Sequence, residues 1–202
     1  YLKIKRTIIK YSLMLGKVII LCAPSGSGKT TLAKHLLSNE LFNLKFSVSS
    51  TTRKKREGEI DGKDYHFLSL NEFKNKIDND EFIEYEQVYE DTFYGTLKSE
   101  VNSLIENNNI IFDVDVVGAE SLKNYFGDKS LSVFIAPPSI EELENRLISR
   151  AKNNKEEINQ RINKAKEEMN KKDSFDTILI NDDLNKAKNN LYKIVSDFLI
   201  NE

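Results

Sequence analysis

Apolar and polar positions divide this chain into short blocks. Lys17 to Cys22 reads KVIILC, a continuous apolar run of the kind that makes a strand buried on both faces. A glycine-rich turn follows, and TTLAKHLL, from Thr30, then places its apolar residues at helical spacing. A second short strand is expected at Phe46–Ser49. From about residue 50 to 97 the chain is polar, interrupted by the aromatic-rich runs DYHFLSL and EFIEYEQVY, which read as short strands. Ser69 and Glu72 have capping-box spacing, so a helix is expected from Leu70. Core-type sequence returns in NIIFDVDVVG and LSVFIAPP, apolar β-rich runs that end at polar residues or proline. Ser139 and Glu142 repeat the capping pair ahead of the helix IEELENRLISR. Residues 151–172 are almost all polar, with Ile158 and Ile162 one helical turn apart. A helix this polar packs weakly and suits a moving lid. TILIN is a last strand. Leu184, Ala187, Leu191, Ile194, Val195 and Phe198 then mark an amphipathic closing helix.

Strands alternating with helices predict an α/β fold, a parallel sheet core flanked by helices. At 202 residues it suits one domain with mobile subdomains. The net charge of −2 excludes general nucleic-acid binding, which needs a strongly basic face. The single cysteine, Cys22, lies in the apolar run and reads as a small buried hydrophobe, so neither a disulfide within the chain nor a thiolate zinc site is expected. His35 and His66 have no ligand spacing. No apolar run approaches the roughly 18 residues that span a membrane. Residues 1–13 are basic and acid-free. They read as an extension ahead of Met14, with an organelle-targeting segment as the alternative.

Between the first strand and helix lies APSGSGKTTL, Ala23 to Leu32. It matches G-x-x-x-x-G-K-[ST] except that Ala23 replaces the first glycine. Strand, loop and helix are the context a phosphate-binding loop requires. Gly26 and Gly28 let backbone N–H groups turn inward, and the helix N-terminus adds its dipole. Lys29 reaches for β- and γ-phosphates, and Thr30 offers a hydroxyl to Mg²⁺. The bland reading is a Gly/Ser turn with a surface lysine.

A second stretch, SVSSTTRKKREGE from Ser47 to Glu59, sets Arg53 and Arg56 three residues apart after Ser49. Two guanidinium forks and a hydroxyl suit a compact phosphate, whereas alone they read equally well as a solvated basic loop. In order and spacing, APSGSGKTT, SVSSTTRKKREGEIDGKDYHF, EFIEYEQVYEDTFYGT, DVDVVGA, FIAPPS and ILIND resemble the guanylate kinases. The resemblance runs from about Gly16 to the C-terminus.

That resemblance implies a P-loop nucleoside-monophosphate-kinase-like fold in three parts. The nucleotide-binding core would be 16–48, 104–140 and 173–202. A small mixed GMP-binding subdomain would be 49–103, a helical lid 141–172, and residues 1–15 an N-terminal extension. It implies ATP and GMP (and dGMP) as substrates with Mg²⁺, and a cytoplasmic monomer without nucleic-acid or membrane partners. ATP would be held by Ser25, Gly26, Ser27, Gly28, Lys29, Thr30 and Thr31, with Asn181 near the adenine. Ser49, Arg53, Arg56, Tyr65 and Tyr94 would hold the GMP phosphate. Glu84 and Thr96 would read the base, Glu84 accepting from guanine N1–H and N2–H₂ and Thr96 donating to O6. Without the resemblance, Glu84 reads as an outward residue on an alternating strand. Asp113 and Asp115 would lie near GMP and the Mg²⁺ hydration shell, or brace one another or Lys29. Arg146, Arg150 and Arg161 would close over the transferring phosphoryl group alongside Lys29. The chain departs from the family where Lys55 replaces a common proline and Val117 a common glutamine. Two rivals stand beside this reading: a kinase for another nucleoside monophosphate, and a non-catalytic guanylate-kinase-like module that binds phosphopeptides.

Overall fold

The computed structural model describes residues 16–150 and 155–200; the extension at residues 1–15 lies outside them, as do the side chains of Tyr89, Arg150 and residues 155–157. Five parallel strands form the main sheet in the order β2-β7-β1-β8-β9. These are β1 (Val18–Cys22), β2 (Leu44–Phe46), β7 (Asn109–Val114), β8 (Ser130–Ala136) and β9 (Thr177–Ile180). β1 lies at the centre because every residue in it is apolar and buried. Ile19 and Leu21 face α1 (Lys29–Leu37) and α7 (Leu184–Ile200). Val18, Ile20 and Cys22 face α3 (Lys98–Ile105) and α4 (Val116–Phe126). Alternation along one strand thus supplies the two faces of a three-layer core. Cys22 is fully buried, as expected, and burial pushes its thiol up to about 12, so it is unreactive.

The expected strand Phe46–Ser49 is divided. Phe46 ends β2, Ser47–Ser49 carry no strand pairing, and Ser50–Thr51 form β3 in a second sheet. The mixed second sheet runs β4-β3-β6-β5 with β4 (His66–Phe67), β5 (Phe82–Tyr89) and β6 (Thr92–Leu97). The apolar pattern cannot reveal this division, because the chain leaves one sheet and enters another without a glycine or proline between them. Helix α2 (Leu70–Asp78) starts where the capping box predicts. The Ser69 side chain accepts from the Glu72 N–H, and the Glu72 carboxylate accepts from the Ser69 N–H. Phe73 packs between Phe82 and Phe93, giving this sheet a small aromatic core of its own.

NIIFDVDVVG also divides: the strand ends at Val114, and Asp115 caps α4 by accepting from the Gly118 N–H. The lid-type segment forms α5 (Ile140–Arg150) and α6 (Lys155–Asn170). Leu143, Leu147, Ile162 and Ala165 bury against each other, so the polar helix is anchored along one narrow stripe. Among the described residues, four buried side chains join this pair, against fifteen in the larger core cluster, which makes it the cheaper element to move. Among the described residues, no helix is long and apolar enough to cross a membrane.

Candidate active site

The site lies at the C-terminal ends of β1 and β7, beside the point where the chain switches from one side of β1 to the other. The loop after β1 turns through Gly26 and Gly28, both at positive φ. Gly28 is doubly required, since a Cβ there would meet the Asn181 side-chain nitrogen at 2.4 Å. Ala23, Ser25, Gly26, Gly28, Lys29, Thr30 and Thr31 line a cavity of about 450 Å³, and Arg161 of α6 reaches its wall. Ser27 lies beneath this surface, fully buried, with a hydroxyl that has no partner among the described residues.

Parallel register puts Asp113 opposite Leu21, one residue from the end of β1. Its carboxylate holds Lys29 Nζ at 2.5 Å, and Lys29 also donates to the Val114 carbonyl at 2.9 Å. Burial opposes the lysine's charge, but the adjoining Asp113 carboxylate outweighs it and raises the pKa above its ordinary value. Asp113 therefore braces Lys29, one of the two roles expected for it, and Asp115 caps a helix.

A second cavity, of about 270 Å³, is lined by Ser49, Tyr65, Tyr94, Glu84, Asp113 and Asp115. It brings together residues separated by more than sixty positions, since the β3–β6 and β5–β6 pairings carry Ser50, Tyr94 and Glu84 onto one sheet. Arg53 is held by Glu59 through two parallel bonds, Nη1–Oε2 at 3.0 Å and Nη2–Oε1 at 2.7 Å. Its guanidinium lies 5.3 Å from the Tyr65 ring centre and 5.7 Å from that of Phe67. Glu59 also accepts from the Arg56 N–H, so one carboxylate shapes the whole arginine turn. Arg56 itself is exposed. Tyr65 stands edge-on to Tyr94, and burial raises its phenol pKa.

Glu84 accepts a 2.6 Å hydrogen bond from the Thr96 hydroxyl. The Thr96 hydroxyl, expected to donate to guanine O6, thus faces the Glu84 carboxylate across the β5–β6 pairing. Thr96 is fully buried. Burial raises the Glu84 pKa to about 7, the Thr96 bond opposing and the nearby Asp115 carboxylate adding to the rise. Asn181, expected near the adenine, also contacts the phosphate loop. Its side chain donates to the Ser27 carbonyl at 2.7 Å and is buried, so it braces the phosphate loop from behind. Arg146 donates to Glu142 and to the Asn181 carbonyl. The side chain of Arg150 lies outside the described residues. Lys55 and Val117 are both exposed, so neither departure disturbs a buried bond.

Sequence reading missed several members. Glu59 stood inside the quoted arginine motif but carried no assigned role. Glu86 lines the second cavity, hydrogen-bonded to Asp115. That bond, with burial, raises Glu86 to about 7, whereas burial works against the Asp115 charge and the bonds from Glu86 and Gly118 hold its pKa below its usual range. Alternation along EFIEYEQVY was the available signal, since Glu84 and Glu86 share a strand face. Lys164 and Glu168, on α6, carried no assigned role but line the first cavity. Among the described residues, no three His, Cys, Asp or Glu side chains come together as a metal cage. The oxygen donor beside the phosphate loop, Thr30, fits a magnesium ion carried by a nucleotide.

The chain matches the guanylate kinase family over residues 15–198. It is 48% identical over 184 residues to the guanylate kinase of Porphyromonas gingivalis, covering 91% of this chain and 98% of that protein. It is 50% identical over 184 residues to that of Bacteroides fragilis, covering 91% of this chain and 90% of that one. Its fold is similar to the crystal structure of guanylate kinase from Anaplasma phagocytophilum, with a TM-score of 0.73 and 28% identity over 92% of this chain and 87% of that one. With its phosphate loop and acceptor-type cavity side by side, and with relatives about half identical along nearly their full length, this chain belongs to the guanylate kinase family.

Proposed function

We propose that this chain transfers the γ-phosphoryl group of ATP to GMP, and to dGMP, giving ADP and the corresponding diphosphate. The observation that carries this reading is the meeting of two cavities at Lys29, one built from the phosphate loop and one from Ser49, Tyr65, Tyr94 and Glu84. Backbone N–H groups from Ser25 to Thr31 cradle the ATP phosphates, and Lys29 moves from Asp113 onto them. Asn181 keeps the loop in shape. Arg53, Arg56, Ser49, Tyr65 and Tyr94 hold the GMP phosphate, with Glu59 setting the arginine turn. The Glu84 carboxylate accepts from guanine N1–H and N2–H₂. Adenine has an acceptor at N1 and would leave that carboxylate unpaired.

The attacking group is a phosphate oxygen, already ionised near neutral pH, so the protein supplies position and charge rather than a strong base. Arg146, Arg150 and Arg161 offset the charge spread over the moving group. Thr30 would hold a magnesium ion that arrives with ATP, and the ion supplies further charge neutralisation at the phosphates. Residues 49–103 act as the GMP-binding subdomain and 141–172 as a lid that closes to exclude water. The expected setting is a cytoplasmic monomer acting on free nucleotides.

The test is a coupled ADP-release assay with ATP and Mg²⁺, offering GMP, dGMP, AMP, CMP and UMP in turn. Turnover with GMP and dGMP alone is expected. Turnover with another base would overturn the Glu84 assignment, and silence with all five from folded protein would overturn the reaction.

A further inference from the structure

Among the described residues, two side chains line both cavities: Lys29, and Lys164 on α6. Helical spacing puts Arg161, Lys164 and Glu168 on one stripe of α6, facing the phosphate loop, while Ile162 and Ala165 bury against α5. The Lys164 ammonium lies 3.9 Å from Asp115 Oδ2 and 4.0 Å from Glu168 Oε1. Both distances are too long for hydrogen bonds. Among the described residues, the two carboxylates hold the cation by charge and leave its N–H donors open to another acceptor. Its side chain is half exposed, at 51%, on the wall of the space between the phosphate loop and the acceptor site.

The wall behind it is negative. Glu86 and Asp115 are hydrogen-bonded, and Asp113 stands beside Lys29. Once Lys29 turns to a nucleotide, a phosphoryl group crossing this space would pass close to those carboxylates. A second cation at the crossing offsets that repulsion. On the reading that this site moves phosphoryl from ATP to GMP, we propose that Lys164 is a further phosphate-positioning residue, carried by the lid helix to the junction of the donor and acceptor cavities.

The experiment compares the wild type with K164M, K164R and K166M. Methionine keeps helix propensity and length, so folding is preserved, which a thermal melt checks. Lys166 is equally exposed but lies 3.4 Å from Glu144 on α5, away from the cavities, and controls for lost charge on the same helix. Two quantities are read: kcat and KM for each substrate, and the affinity for adenosine and guanosine joined by five phosphates, beside the affinities for ATP and GMP alone. For K164M, kcat and the affinity for the joined nucleotide should each fall by about tenfold, with single-substrate affinities within about threefold. K164R should recover most of both, and K166M should behave as wild type. Wild-type kcat and joined-nucleotide affinity in K164M would overturn the proposal. So would a K164R as impaired as K164M, or a K166M impaired to the same degree. An inactive wild type would sink the phosphoryl-transfer reading instead, and the joined-nucleotide measurement would still decide Lys164.

Discussion

The two regions of this molecule proposed to bind phosphate are built in opposite ways. The donor loop is made of backbone. It connects a fully buried strand to a helix, it is pinned from behind by Asn181, and its glycines are held at positive φ. The acceptor turn is made of side chains. Arg53 is shaped by one carboxylate, Glu59, and Arg56 projects into solvent. A backbone cradle binds any polyphosphate and tolerates the change of its first glycine to Ala23. A side-chain fork has to be oriented by a partner, and its partner can be lost. On the proposed function, the donor loop would provide general affinity in a rigid frame, and the acceptor turn selectivity in an adjustable one.

The sharpest way to break this comparison is at Lys29, the side chain on which the backbone cradle depends for transition-state charge. K29M should lower kcat by about 10³-fold with the fold retained in circular dichroism. A loss below about tenfold would mean that the backbone cradle alone carries the chemistry.

Next in size are the arginine turn and its carboxylate. R53M should raise the KM for GMP by about 10–100-fold and leave the KM for ATP nearly unchanged. E59Q should raise the KM for GMP by about 3–10-fold, because a glutamine keeps one acceptor of the two that orient Arg53. If R53M raised both KM values equally in steady-state assays, the two regions would not be separable.

A pH-dependent effect, comparable in size to that of E59Q, separates base reading from phosphate holding. Burial raises Glu84 to about 7 in the open site, and guanine's two donors select the carboxylate form. Below pH 7 a proton must leave before the base is paired, and above it none must. The GMP KM ratio of E84Q to wild type should therefore rise by about tenfold between pH 6 and pH 8, and taking the ratio cancels the titration of the GMP phosphate. A flat ratio would place Glu84 outside base recognition.

Much of this was legible in the chain because it is local. KVIILC followed by SGSGKTT fixes a buried strand, a turn and a helix start within fifteen residues. Ser69 and Glu72 define a helix start by a hydrogen-bonding pattern that spans one turn. The family motifs then named most of the groups that line the two cavities. Other features depend on distance through space. That Asp113 grips Lys29 follows from the β1–β7 register, which pairs Leu21 with a residue 92 positions later. That Thr96 donates to Glu84 follows from their pairing across β5 and β6. That Asn181 braces Ser27 follows from β9 lying at the far edge of the sheet with its end above the loop.

By itself, then, the sequence determined which segments are strands and helices at the core, where phosphate would bind, and which arginines and carboxylates to watch. Hydrophobic period, caps and glycine turns are short-range physics written in consecutive residues. Only the tertiary structure decided which carboxylate meets which cation, and which carboxylate a buried hydroxyl faces. It alone brought Lys164 to the junction of the two cavities. Those outcomes rest on register and helix packing, which join residues far apart in the chain, and a single charged side chain carries no mark of the partner it will meet.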